Sequence, residues 1–241
     1  MNKDKRITIV QLYPNDMNIY GDHGNVLTII KRLEWHGYQA ELVNYNQGDK
    51  FPDEADIIIG GGGQDSGQDK IKEDLLKIGP KLKELAKNNT PMLVICGLYQ
   101  LFGKYFKTSE GHDIKGIGLL DIETIAKPQR LIGNIIVRSE QFGEIIGYEN
   151  HSGQTFLDEQ TKPLGIVEKG CGNNSDDKTE GAIYNNVIGS YLHGSLLPKN
   201  PQLADFLIEQ AVINKYGEFD GNIIDDSLAK RARRITAKRP R

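Results

Sequence analysis

The sequence predicts an α/β fold, a mostly parallel sheet flanked by helices with a β-rich antiparallel extension. Three observations predict it. Short apolar runs alternate with amphipathic stretches through roughly the first hundred residues, which is how strand–helix–strand units of a parallel sheet read. Turns rich in glycine follow two of those runs directly, at 60–64 and at 96–97. Beyond about residue 115 the runs become short and β-rich, separated by Gly- and Asn-containing turns.

The elements follow in order. Residues 7–12 read as the first strand. The stretch 20–36 has helical spacing, with Val26, Ile29, Ile30 and Leu33 on one face and Gly37 where a left-handed C-terminal residue belongs. Residues 40–43 and 55–59 read as two more strands. A strongly periodic helix is predicted over 71–86, with Leu75, Ile78, Leu82 and Leu85 as its stripe. Residues 91–95 form a buried strand, and an apolar run after Cys96 continues as a helix. The β-rich runs are 118–125, 131–138, 145–148, 164–167, 182–184 and 187–192, and a last helix spans about 202–216. The expected organisation is one domain over 1–225 and a basic C-terminal tail over 226–241.

Composition narrows the classes. The 241 residues suffice for one large α/β domain. The formal net charge of −3 does not describe a nucleic-acid binder. Residues 230–241 carry seven Lys and Arg and no acid, so without them the body stands at about −10. Such a run reads as a solvated tail, as a dock for an acidic partner, or as a contact for anionic lipid. Two cysteines, Cys96 and Cys171, do not make a disulfide scaffold. The polar N-terminus lacks a signal-type apolar core, and no run approaches the roughly 18–20 apolar residues of a membrane span. A cytoplasmic protein is the expectation.

Cys96 carries the chemistry. It stands between a strand and a helix, where a thiol is presented rather than packed, and the helix start favours thiolate and oxyanion. A small buried hydrophobe is the competing reading; the strand-end position and His193, at the end of another apolar run, favour a nucleophile. The loop 60–64 can supply backbone donors to an oxyanion. It lacks the Lys-Ser/Thr of a phosphate loop, and a plain tight turn is its bland alternative. Cys171 sits in a Gly/Asn turn with no such setting, and no metal-ligand spacing is present. Arg130, on charge alone, reads either as a carboxylate clamp or as a surface arginine.

These residues resemble a family. Val94-Ile95-Cys96-Gly97-Leu98-Tyr99-Gln100, Gly147-Tyr148-Glu149-Asn150-His151 and Tyr191-Leu192-His193-Gly194 are similar to the motifs of class I (triad) glutamine amidotransferases in the cobyric-acid-synthase branch. With the segment from Tyr13 to Asp22 and the Gly60–Asp65 loop, the nearest resemblance is to the glutaminase subunits of lipid II isoglutaminyl synthases. The resemblance spans about 7–215 and implies a flavodoxin-like fold. It implies Cys96 and His193 as catalytic pair, with Arg130, Gly62, Gly63, Gln64, Gly97 and Gln100 at the glutamine site. It further implies no cofactor in this chain, ammonia passed to a Mur-ligase-like synthetase subunit (MurT type) in a heterodimer, ATP and Mg in that partner, and a lipid-linked precursor reached through it. A cobyrinate-type amidation and a non-catalytic glutamine-sensing module are the alternatives. Two departures stand out: Val94 replaces the usual Gly, and Ser195 occupies the position of the usual triad Glu. The site then works either as a Cys–His dyad or with another acid, for which Glu149 is the candidate.

Overall fold

The computed structural model describes residues 5–239. Met1 to Asp4 and the last two residues, including Arg241 of the basic run, lie outside the described residues. The first sheet is built from β1 (Arg6–Leu12), β2 (Gln39–Tyr45), β3 (Ile57–Gly60), β4 (Met92–Ile95), β11 (Ala182–Tyr184) and β12 (Val187–Ser190). Their order is β11-β12-β4-β3-β1-β2, parallel throughout except for the β11–β12 pair. Strands β3, β4 and β12 are buried along their whole length, as central parallel strands covered on both faces must be.

Helices α1 (His23–His36), α2 (Asp65–Lys87), α3 (Gly97–Phe102), α4 (Leu196–Lys199) and α5 (Pro201–Tyr216) flank that sheet. Helix α1 packs on α4 and α5, and α2 packs on α3. The first predicted helix begins later than its periodicity suggests. Tyr20 (φ 55°) and Gly21 (φ 78°) have left-handed backbones, which break the chain into a short 3-10 turn before α1. Gly37 ends α1 at φ 94°, as predicted. Helix α2 starts earlier than predicted, directly from the glycine loop with Gln64 at its N-cap. The aromatic side chains of Tyr13 and Tyr45 both donate to Asp74 Oδ2, at 2.8 and 2.7 Å, which ties α2 to the ends of β1 and β2.

The β-rich half forms a second sheet from β5 (Tyr105–Lys107), β6 (Asp113–Lys115), β7 (Ile122–Ser139), β8 (Gly143–Leu157), β9 (Gly165–Lys169) and β10 (Thr179–Glu180). Two of the predicted runs merge into β7, and the predicted 145–148 strand is the early part of the much longer β8. These two pair antiparallel from Ile122↔Leu157 to Ser139↔Gly143, with a register shift between Ala126 and Leu131. The segment predicted as a basic tail is helical over α6 (Ser227–Ala237) and packs against α4 and β8. Its Arg233 donates to Asn200 Oδ1 at 3.1 Å and to the Glu144 carbonyl. No described helix is long and apolar enough to cross a membrane.

Candidate active site

Strands β3, β4 and β12 run parallel, so their carboxyl ends emerge together, where open α/β sheets place their sites. Cys96 follows β4 at φ 51°, ψ −104°, a left-handed φ that residues with a Cβ avoid. This is the strained elbow that lifts a nucleophile clear of the sheet. Its N–H donates to Ser190 O at 2.8 Å, which locks the elbow to the end of β12. Three residues beyond β12, the His193 N–H donates to Tyr148 O at 2.7 Å. The first sheet therefore delivers the thiol, and both sheets together fix the imidazole.

Gly62 lies between the two side chains. A Cβ there would stand 2.8 Å from His193 Cε1 and 3.1 Å from Cys96 Cβ, so only glycine leaves the thiol and imidazole room to meet. At Gly97 a Cβ would come within 3.0 Å of Gly63 N, so the loop and the start of α3 approach backbone to backbone. The Gly62 N–H is already taken: it donates to Asp22 Oδ2 at 2.7 Å. Gly62 is expected among the substrate-binding residues, whereas its N–H serves the Asp22 carboxylate.

Asp22 is the residue that sequence reasoning missed. Its other oxygen, Oδ1, lies 3.4 Å from His193 Nδ1, and both side chains are buried. One carboxylate thus orients the imidazole and holds the glycine loop. His193 Nε2 is buried with no hydrogen-bond partner, and is the ring nitrogen left for the thiol. Burial works against a charged imidazole here. The Cys96 thiolate and the Asp22 carboxylate outweigh it and push the His193 pKa up to about 10. Glu149, the expected candidate for this position, points elsewhere. Its carboxylate accepts from the N–H groups of Cys171 and Gly172, at 3.0 and 2.8 Å, and holds that turn.

A cavity of about 400 Å³ opens beside Cys96, lined also by Gly63, Gln64, Gln100 and Arg130. Arg130 reaches it because of the register shift in β7. Residues 127–130 bulge out opposite a single residue of β8, and a bulge re-aims a side chain that regular pleating would have fixed. Its Nε donates to Asn150 Oδ1 at 2.6 Å and its Nη2 to Asn150 O at 3.4 Å, which fixes the guanidinium at the wall of the cavity. Gln100 lines the same space, but its amide is engaged within the protein. Its oxygen accepts from Gln68 at 2.7 Å and its nitrogen donates to the Tyr191 hydroxyl at 3.1 Å. His151 stacks on Tyr191 with ring centroids 3.6 Å apart, and burial drives its pKa down to about 3, so it is a neutral wall. Among the described residues, no group of three or more His, Cys, Asp or Glu could hold a metal ion.

A nucleophile elbow, a histidine on the neighbouring strand end and a glycine loop between them define a class I amidotransferase-type site. The CobB/CobQ-like glutamine amidotransferase domain matches residues 8–201, and the chain belongs to that family. It is 38% identical, over 97% of its own length and 96% of the other's, to the protein named lipid II isoglutaminyl synthase (glutamine-hydrolyzing) subunit GatD of Staphylococcus aureus (strain N315). It is 39% identical to the protein of the same name from Streptococcus pneumoniae (strain ATCC BAA-255 / R6), over 90% of this chain and 85% of that one. The solved structure of PurLQS from Thermotoga maritima shares the fold, with a TM-score of 0.58 at 16% identity, covering 88% of this chain and 98% of that one.

Proposed function

We propose that this chain is the glutaminase subunit of a glutamine-hydrolysing lipid II isoglutaminyl synthase. The observation that carries the proposal is the pairing of Cys96, on its left-handed elbow, with the buried His193 across Gly62. Near full-length similarity to two subunits of that name supports the particular assignment. Arg130 holds the α-carboxylate of L-glutamine with its planar fork. The Cys96 thiolate attacks the side-chain amide carbon, and the N–H groups of Gly63 and Gly97 receive the oxyanion. The C–N bond then breaks, the leaving nitrogen takes the proton from His193, and ammonia departs from a thioester. Water attacks the thioester carbon and gives its proton to His193, glutamate leaves, and the thiolate is restored. Asp22 keeps His193 in the right tautomer and orientation.

The ammonia passes to a Mur-ligase-like synthetase of the MurT type, in a heterodimer with this chain. That partner binds ATP and Mg²⁺ and activates the α-carboxyl of D-glutamate in the lipid II stem, yielding D-isoglutamine. A cytoplasmic location follows from that role, since the ATP and glutamine pools are intracellular. The deciding measurement is glutamate released from L-glutamine, with and without the synthetase, for the wild type and Cys96→Ala. Release that falls at least about a thousand-fold in Cys96→Ala is the expected result. A folded wild-type protein that releases none in either condition overturns the proposal and leaves a glutamine-binding module.

A further inference from the structure

Tyr20 meets both ends of the candidate site. Its ring packs edge-on against His193, with centroids 5.0 Å apart and planes at 71°. Its hydroxyl accepts from Arg130 Nη2 at 3.4 Å, and it lines the cavity beside Cys96. The backbone holds it there at a left-handed φ of 55°, unusual for an aromatic residue. Contacts on both sides pin the turn. Ile19 N–H donates to Gly62 O at 3.1 Å, and Ser195 Oγ donates to Gly21 O at 2.6 Å. The turn is thus tied to the glycine loop on one side and to the segment after His193 on the other. A strained aromatic residue fixed across two functional groups is what a substrate-sensing position requires.

We infer that Tyr20 is a specificity-determining residue that recognises the α-carboxylate of the substrate together with Arg130. A hydroxyl that accepts from Arg130 keeps its own proton free, and that proton can be donated to a carboxylate oxygen held by the guanidinium. The carboxylate then has three donors instead of the two that a guanidinium fork supplies. Ligands that lack an α-carboxylate reach Cys96 without engaging Tyr20. The inference rests on the glutaminase reading and deepens it.

The test compares wild type and Tyr20→Phe, each in complex with the synthetase, using two alkylating agents for Cys96. One is the diazo-ketone analogue of glutamine, which carries the α-amino and α-carboxylate groups; the other is iodoacetamide, which carries neither. Removal of the hydroxyl should slow saturable labelling by the glutamine analogue about ten-fold and raise the KM for glutamine by a similar factor. Labelling by iodoacetamide and kcat should stay within about two-fold. Equal labelling of both proteins by the analogue, with the wild type hydrolysing glutamine, overturns the role of Tyr20 and leaves the glutaminase intact. A wild-type Cys96 that the analogue does not label overturns the glutaminase reading itself, and this inference with it.

Discussion

Asp22 does two things with one carboxylate, and each has a separate consequence. Its charge stabilises the His193 imidazolium, and its second oxygen accepts the Gly62 N–H. Loss of the imidazolium proton removes the acid that ammonia needs on leaving. Activity should therefore persist through neutral pH and fall as the pH rises through about 10, where His193 titrates. Asp22→Asn removes a negative charge that favours the imidazolium, so the alkaline limb should move down by about a pH unit or more. The pH profile of kcat/KM checks this, and a limb that does not move would show that Asp22 is only a structural tie. Asp22 was legible as part of a motif but not as a partner of His193. The two are 171 positions apart, and no local pattern announces which acid an imidazole will face.

At the scale of elements, α1 is anchored by a buried cation. Arg32 donates to Asp205 of α5 at 2.5 and 2.6 Å and to Asp226 at 2.7 Å, just before α6. His36, one turn further along α1, adds a contact to Asp205 Oδ1 at 3.1 Å. This cluster joins α1, α5 and the start of α6. Arg32→Ala leaves two carboxylates close together without their cation and should cost about 3 kcal/mol of stability. Urea denaturation measures it, with unchanged glutaminase KM expected in the folded fraction. The helical stripe of α1 was readable from Val26, Ile29 and Leu33, whereas Arg32 lies on the same helix with no periodic signature of its own. The β7–β8 pairing shows the same limit. Alternation along β8 sends the Tyr148 and Glu149 side chains to opposite faces, while the Tyr148 backbone carbonyl accepts the His193 N–H. No local pattern says which residue of β8 the chain beyond β12 pairs with.

For the molecule as a whole, Glu180 links the two sheets to acid–base stability. It is fully buried, with Oε1 accepting from Ser190 Oγ at 2.7 Å and Tyr191 N–H at 2.9 Å. Burial raises its pKa from 4.5 to about 7, although those hydrogen bonds pull the other way. A folded state that holds a proton more tightly than the unfolded chain gains stability at low pH. That contribution is complete below about 4.5 and is lost as the pH rises through about 7. Glu180→Gln cannot ionise, so its unfolding free energy should depend less steeply on pH across that window. Denaturant titrations at a series of pH values provide the check, and identical slopes would remove Glu180 from the account.

Local pattern determined the alternation of strands and helices, the placing of Cys96 and His193 at strand ends and the glycine loop between neighbouring units. These follow from periodicity and from what glycine and a strand-to-helix turn permit, and they are written within a few residues of each site. Tertiary structure decided the rest. It merged two β runs into one long strand, lengthened a third into its partner, put Arg130 on a bulge, turned Glu149 toward the Cys171 turn and set Asp22 against His193. Each of these depends on register and packing between segments far apart in the chain. Register is fixed by the summed fit of whole elements, and no single stretch of sequence carries that sum.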